Sequence, residues 1–358
     1  MGGGGAERVA ASLANAWVER GHQVTLMPTF SGRGGCVYPL SCDVRLEYLA
    51  DHVGGARGRL RRLVALRTYI RRSAPDVIVS FLPDVNVAAI FGAAGTGVPV
   101  IACERTYPPL LAPPLPIVYR ILRRLSYPHA AMLVGQTEEV REWLRGICPR
   151  TPIQAIPNMV RYPLPAGRPV MPPGEVVPPD RPLILAAGRL DGWKRFDVLI
   201  SAFTSLAAQF PDWHLVILGE GRERATLERR VEAAGLAGRA HLPGFAGNLG
   251  DWYARADLFV MTSAYEGFPN TLLEAMAYGL PAVAFDVRTG PREITAGGRR
   301  AVLLPDHGHV ARLIEALGAL IQDADRRHRL GLLATEVREE FSMERVLSAW
   351  ESLFEKLA

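Results

Sequence analysis

Leu258-Phe-Val-Met-Thr-Ser-Ala-Tyr-Glu-Gly-Phe-Pro-Asn-Thr-Leu-Leu-Glu-Ala-Met-Ala-Tyr-Gly-Leu-Pro-Ala-Val-Ala-Phe285 reads as strand, loop, helix and strand. Leu258 to Met261 is a short apolar run, the pattern of a parallel strand buried on both faces. Thr262 to Pro269 is the loop. Asn270 is expected to be the N-cap of a helix over Thr271 to Tyr278, which Gly279 ends and Pro281 follows. Pro281 to Phe285 reads as the next buried strand.

The unit carries two carboxylates, Glu266 and Glu274, with seven residues between them. Glu266 belongs to the loop and Glu274 to the first turn of the helix. Between them, the N–H groups of Thr271, Leu272 and Leu273 are expected to be free. Those donors and the helix dipole favour a phosphate, and the carboxylates can accept hydrogen bonds from sugar and ribose hydroxyls. A nucleotide sugar has that distribution of charge and hydroxyls. The plainer alternative is a favourable first-turn charge beside an ordinary loop carboxylate, and spacing alone leaves both readings open.

Glu266-Gly-Phe-Pro-Asn-Thr-Leu-Leu-Glu274, with Gly279-Leu-Pro281 behind it, resembles the glutamate-x7-glutamate motif of the retaining GT-B glycosyltransferases of family 4. The resemblance implies that Glu274 holds the donor ribose and Glu266 the transferred sugar. The backbone of Gly267, Phe268, Pro269, Asn270, Thr271 and Leu272 would then line sugar and diphosphate.

The chain has 358 residues, enough for two domains, and is 49% hydrophobic. No run reaches the roughly 20 apolar residues of a membrane span, and the opening glycines lack the pattern of a secretory leader. Cys36, Cys42, Cys103 and Cys148 have no metal-ligand spacing and read as reduced thiols of a cytoplasmic protein. The net charge of +5 comes from arginine.

Strands alternate with helices along both halves, which implies parallel, doubly wound α/β sheets. Residues 158–182 hold eight prolines and are expected to be extended. The expected fold is therefore α/β of the GT-B type, two Rossmann-like domains with a ligand cleft at the carboxyl ends of their sheets. Its parts are an acceptor-side domain over 1–160, a linker over 161–182 and a nucleotide-sugar domain over 183–340. By resemblance, a helix over 341–358 crosses back to the first domain. Asn158, after Ile156-Pro157, resembles the motif that ends the family's first domain.

Gly4-Gly5-Ala-Glu-Arg-Val resembles the family's first glycine loop, where ligands approach the backbone; read alone it is a flexible terminus. In the family a strand precedes this loop. Only Met1 precedes Gly2 here, so the first strand is expected to be missing, leaving an unfilled position between the strands near 23–27 and 76–81.

Gly188-Arg189-Leu-Asp-Gly-Trp-Lys194 follows a strand and enters a helix. Arg189 offers a planar fork and Lys194 a compact charge for phosphate oxygens, although both also suit a solvated loop. The run resembles the family's diphosphate clamp. Gly219 ends another strand and would let the backbone approach the nucleotide. Phe245 resembles the base-side loop, with a core phenylalanine as the alternative. Cys103-Glu104-Arg105-Thr106 resembles the acceptor side of bacterial polysaccharide transferases, with a surface ion pair as the alternative. Asp323-Ala-Asp325 suits a helix cap better than a metal, and His129, His307 and His309 read as structural or loop residues. No cofactor and no metal are expected, because Arg189, Lys194 and the helix terminus can neutralise a diphosphate.

Residues 57–72 contain arginines and no acids, with Leu60, Leu63, Val64, Tyr69 and Ile70 as apolar positions. A second basic stretch lies at Tyr119 to Arg124. Both suit an anionic membrane surface, with a core-packed helix as the alternative. Nucleic acid does not fit, because base-stacking aromatics are not interleaved.

The resulting expectation is retaining transfer of a hexose or N-acetylhexosamine from a UDP-linked donor to a lipid-linked glycan or polysaccharide. The protein would act peripherally, on the inner face of the cytoplasmic membrane. The alternatives are a non-catalytic nucleotide-sugar binding protein and a sugar-phosphate enzyme of this fold, a phosphorylase or epimerase.

Overall fold

A computed structural model describes residues 4–29, 38–53, 58–110, 115–305 and 310–357. Cys36, Arg57, His307 and His309 lie outside the described residues. The chain forms two compact units, Met1–Asn158 with Glu344–Ala358, and Met159–Met343.

In the first unit the strands are β1 (Thr25–Leu26), β2 (Arg45–Leu46), β3 (Ile78–Phe81), β4 (Val100–Cys103), β5 (Met132–Gly135) and β6 (Ile153–Ala155). All pair in parallel, and helices form the crossovers from β3 to β4, β4 to β5 and β5 to β6. They make two sheets, β1-β2 and β3-β4-β5-β6. Among the described residues no ladder joins β1 to β3. β4 and β5 are buried along their whole length.

The helix Gly5–Glu19 starts inside the glycine run, with Gly4 as its N-cap. Gly4 and Gly5 therefore do not form the open loop expected of them. Helical bonding begins early, with Arg8 N–H donating to Gly4 O at 3.1 Å. Trp17 on this helix packs edge-on against Trp350 and Phe354, at 5.6 and 5.4 Å between ring centres. Both partners lie on the last helix, Met343–Glu355, most of which belongs to the first unit.

The second unit has one six-stranded parallel sheet. Its strands are β7 (Leu183–Ala187), β8 (His214–Leu218), β9 (Ala240–Gly244), β10 (Leu258–Met261), β11 (Ala282–Asp286) and β12 (Val302–Pro305). Their order is β12-β11-β10-β7-β8-β9. β7, β8 and β10 are wholly buried, the expected consequence of continuous apolar runs covered on both faces.

Residues 161–182 are not a free-standing linker. They form a strap bonded to the second unit. Gly167 N–H donates to Gly247 O at 2.8 Å, Gly247 N–H to Pro169 O at 2.7 Å, and Met171 N–H to Asn248 Oδ1 at 2.8 Å. Trp252 Nε1 donates to Met171 O at 3.0 Å, and Val177 is fully buried. The prolines restrict the strap; the N–H groups of Leu164, Gly167 and Met171 find partners on the unit beneath, and those of Glu175, Val176, Val177 and Arg181 bond within the strap. Two helices follow β12 and its helix, Ala324–Ala334 and Val337–Glu340. Asp323 caps the first by accepting from Arg326 N–H at 2.7 Å.

Candidate functional site

In the second unit the chain runs outward from β7 to β8 and β9, then returns to β10 on the other side of β7. The loops leaving β7 and β10 therefore diverge. A crevice at the carboxyl ends of such a strand pair is the general ligand position in open α/β sheets. The two loops are tied together, Thr262 Oγ1 donating to Lys194 O at 2.8 Å and Ala264 N–H to Trp193 O at 2.7 Å. Lys194 Nζ then pairs with Glu266 Oε1. The lysine and glutamate side chains remain 22% and 12% exposed, so both can meet a ligand.

The helix that follows is Asn270–Ala277. Pro269, not Asn270, occupies the N-cap, and no side chain caps the helix. The ring at 269 has no N–H to satisfy, and Asn270 already takes helical geometry. Leu273 N–H donates to Pro269 O at 3.2 Å, so it is not one of the free donors. Among the described residues the N–H groups of Thr271 and Leu272 have no carbonyl partner, and they lie just beyond the Lys194–Glu266 pair in the chain.

Glu274 sits one turn into the helix. It is 6% exposed and accepts from Tyr253 Oη at 3.2 Å. Tyr253 is a positioning residue that the sequence pattern does not mark. Phe268 and Leu272 point into the core, Phe268 against Phe341 at 5.5 Å between ring centres. They and Pro269 can offer a ligand only backbone. Thr289 Oγ1 donates to Glu266 O, and Gly290 lies so close to Pro269 and Gly267 O that a Cβ there would overlap them.

Arg189 is exposed at the end of β7, and its guanidinium has no hydrogen-bond or ion-pair partner among the described residues. Gly219 is needed, though not first for a ligand. Its φ is +139° and a Cβ would overlap Gly188 O. Gly221 is excluded from bearing a side chain in the same way by Leu190 O. The ends of β7 and β8 are thus locked together by backbone. Phe245 is 42% exposed just beyond β9, so it is not a core residue.

In the first unit Glu104 and Arg105 are neither exposed nor paired with each other. Glu104 is fully buried and accepts from Tyr127 Oη at 2.5 Å, with Arg123 Nη1 3.8 Å away. Burial pushes its carboxyl up to about 7, against the Tyr127 hydrogen bond and the Arg123 charge. Asn86 Nδ2 donates to Tyr127 Oη at 3.0 Å and to Cys103 O at 2.9 Å. Arg105 is 7% exposed, lies 4.3 Å above the Phe81 ring, and donates through Nη1 to Asn158 Oδ1 at 3.0 Å. Asn158 thereby gains a stated role, which its motif alone did not supply.

The basic helices bury few of their apolar residues. On Arg59–Ser73 only Leu66 and Ile70 are buried, while Leu60 and Val64 are exposed. On the helix Ile117–Ser126, Ile117, Val118, Ile121 and Leu125 are all more than half exposed. The Arg59 guanidinium lies 5.6 Å from the Tyr119 ring centre and joins the two helices.

Residues 4–159 match the family model of the glycosyl transferase 4-like domain, and residues 168–336 that of glycosyl transferases group 1. The chain belongs to the GT-B glycosyltransferases of family 4. Among curated relatives it is 32% identical, over 65% of its length, to an exopolysaccharide phosphotransferase of Streptomyces coelicolor, of which it spans only 24%. It is 24% identical to the Campylobacter jejuni GalNAc-alpha-(1->4)-GalNAc-alpha-(1->3)-diNAcBac-PP-undecaprenol alpha-1,4-N-acetyl-D-galactosaminyltransferase, over 99% of this chain and 95% of that one. Among solved structures, Anabaena HepE in complex with UDP superposes with a TM-score of 0.78 at 16% identity, covering 99% of this chain and 96% of that one. That likeness concerns the fold. No helix among the described residues is long and apolar enough to cross a membrane.

Proposed function

We propose that this family member transfers a hexose or N-acetylhexosamine, with retention at the anomeric carbon, from a UDP-linked donor to a lipid-linked glycan or polysaccharide. The observation that carries the reading is the pairing of Lys194 with Glu266 next in the chain to the open N–H groups of Thr271 and Leu272. A diphosphate placed there shares Lys194 with Glu266 and accepts from the helix terminus. Arg189, free at the end of β7, adds a second cation. These charges stabilise the departing diphosphate without a metal ion. Glu266, beside the reacting sugar, holds its hydroxyls and shields positive charge developing at the anomeric carbon. Glu274, held by Tyr253, takes the ribose. The UDP complex of HepE and the undecaprenol-linked substrate in the Campylobacter relative's name support the donor and acceptor classes.

Membrane attachment is part of the proposal. The exposed Leu60, Val64, Ile117, Val118, Ile121 and Leu125 are flanked by Arg59, Arg61, Arg62, Arg120 and Arg124. An apolar face with a basic rim suits insertion among anionic headgroups at the inner face of the cytoplasmic membrane. Each inserted side chain contributes roughly 1.5 kcal/mol or more, and each arginine about 1 kcal/mol. Ile121→Ser with Leu125→Ser should release the protein from phosphatidylglycerol vesicles in co-sedimentation; unchanged binding would remove this part.

The activity is tested with radiolabelled UDP-hexoses and UDP-N-acetylhexosamines and extracted lipid-linked glycans. Label should enter the lipid fraction, EDTA should not prevent it, and Lys194→Ala should lower the rate about a hundredfold. Transfer to inorganic phosphate, epimerisation without acceptor, or donor binding without turnover would each refute glycosyl transfer.

A further inference from the structure

We propose that Arg105 is an anion-binding residue of the first unit, taking a phosphate group at the carboxyl ends of β3 to β6 through its Nε–H and Nη2–H. Three surfaces of this guanidinium are accounted for differently. One face stacks on Phe81, at the end of β3. Nη1 is committed to Asn158, beyond the end of β6, whose Oδ1 also lies within hydrogen-bond distance of the Gln136 amide, just past β5. The remaining edge, Nε with Nη2, is buried and has no partner among the described residues.

That edge is the fork that grips phosphate and carboxylate with two parallel hydrogen bonds. Its orphaned donors belong to a residue 93% withdrawn from solvent, and orphaned buried donors are costly. No carboxylate among the described residues balances the charge. Glu104, the adjacent residue, turns to Tyr127 and Arg123. Burial lowers the guanidinium to about 10, which leaves it cationic at neutral pH.

The stacking partner adds a second feature. Phe81 runs directly into the helix Pro83–Ala93 through Leu82, which is held at φ +81° and supplies no side-chain cap. Among the described residues the N–H groups of Asp84 and Val85 have no carbonyl partner; bonding starts with Asn86 N–H to Leu82 O at 2.8 Å. A strained residue opening an uncapped, 11-residue helix beside a buried cation is an arrangement suited to an oxyanion. This deepens the glycosyl-transfer reading, in which the phosphate belongs to the acceptor, and rests on it only for that assignment.

The test uses inorganic pyrophosphate and calorimetry on the full chain carrying Arg189→Ala and Lys194→Ala, so that the second unit's phosphate cations are gone. One equivalent should still bind. Adding Arg105→Gln should weaken it about ten- to hundredfold, the scale of hydrogen bonds to a charged group. Arg105→Lys, which keeps charge and loses the fork, should fall between. Acetate should compete weakly. Gln can still bond Asn158 and removes an unbalanced cation, so the unliganded melting midpoint of Arg105→Gln should equal or exceed that of its parent. Pyrophosphate affinity unchanged by Arg105→Gln, or no binding to the parent, would overturn the proposal. So would an Arg105→Lys variant that binds as its parent does, which is the decisive result should the Gln variant fail to fold. Because the donor cations are absent throughout, these outcomes do not depend on whether the second unit binds a nucleotide sugar.

Discussion

The two units build the carboxyl ends of their sheets from different materials. In the second unit the strand ends are locked by backbone: Gly219 against Gly188, Gly221 against Leu190, Gly290 against Pro269. Its charged side chains, Arg189, Lys194 and Glu266, are left at or near the surface. In the first unit the strand ends are held by buried polar side chains, Asn86, Glu104, Arg105, Tyr127 and Asn158. Backbone locking leaves charges available for a ligand. Side-chain locking places charges where solvent does not balance them, so their protonation or a bound ion must.

The strongest break of the comparison is Gly219→Ala. A Cβ there meets Gly188 O at a φ that L residues rarely adopt. Backbone strain and overpacking each cost about 1–3 kcal/mol, so the loss should be roughly 3 kcal/mol or more in urea unfolding. A loss below about 1 kcal/mol would mean that backbone contact does not hold these loops.

A comparable effect is expected in the first unit, and it should depend on pH. Glu104 is raised from 4.5 to about 7 in the folded protein. The folded state therefore binds this proton more tightly than the unfolded chain does. The associated stability is complete below about pH 4.5 and is lost as pH rises through 7, a change of roughly 3 kcal/mol. Glu104→Gln, which can still accept from Tyr127, should flatten the decline between pH 5 and 8. An unaltered pH profile in that variant would show that the carboxyl ionises freely.

The difference between the units also decides what could be read from the sequence. Glycines and charges of the second unit fall in short runs, 188–194, 219–221 and 266–274, each directly after an apolar strand. Local spacing reports such sites, and the apolar run Leu258 to Met261 coincides with β10. The N-cap at Pro269 was misplaced because an asparagine is the commoner cap and the ring's missing N–H leaves no signal. In the first unit Phe81, Arg105, Gln136 and Asn158 come from four strand ends between residues 81 and 158, and no period or motif unites them. The arginine helices are a different case. Their apolar residues have ordinary helical spacing, and sequence periodicity cannot tell a face turned to the core from one turned outward. Leu60 and Val64, two apolar positions of the first of these helices, are exposed, while Ile70 is buried. The strap over 161–182 was legible as extended, since proline permits little else, but its bonds to Gly247 and Asn248 depend on residues far along the chain.

The central claim is that the junction of β7 and β10 holds the donor, with Glu274 on the ribose and Glu266 on the sugar. Calorimetric titration of UDP and of the accepted UDP-sugar into the wild type, Glu274→Ala and Glu266→Ala tests it most directly. Glu274→Ala should weaken both ligands by about tenfold or more, the worth of a buried hydrogen bond to a charged group. Glu266→Ala should leave UDP within about threefold while weakening the UDP-sugar. Equal loss of UDP binding in the two variants, or no loss in either, would contradict it.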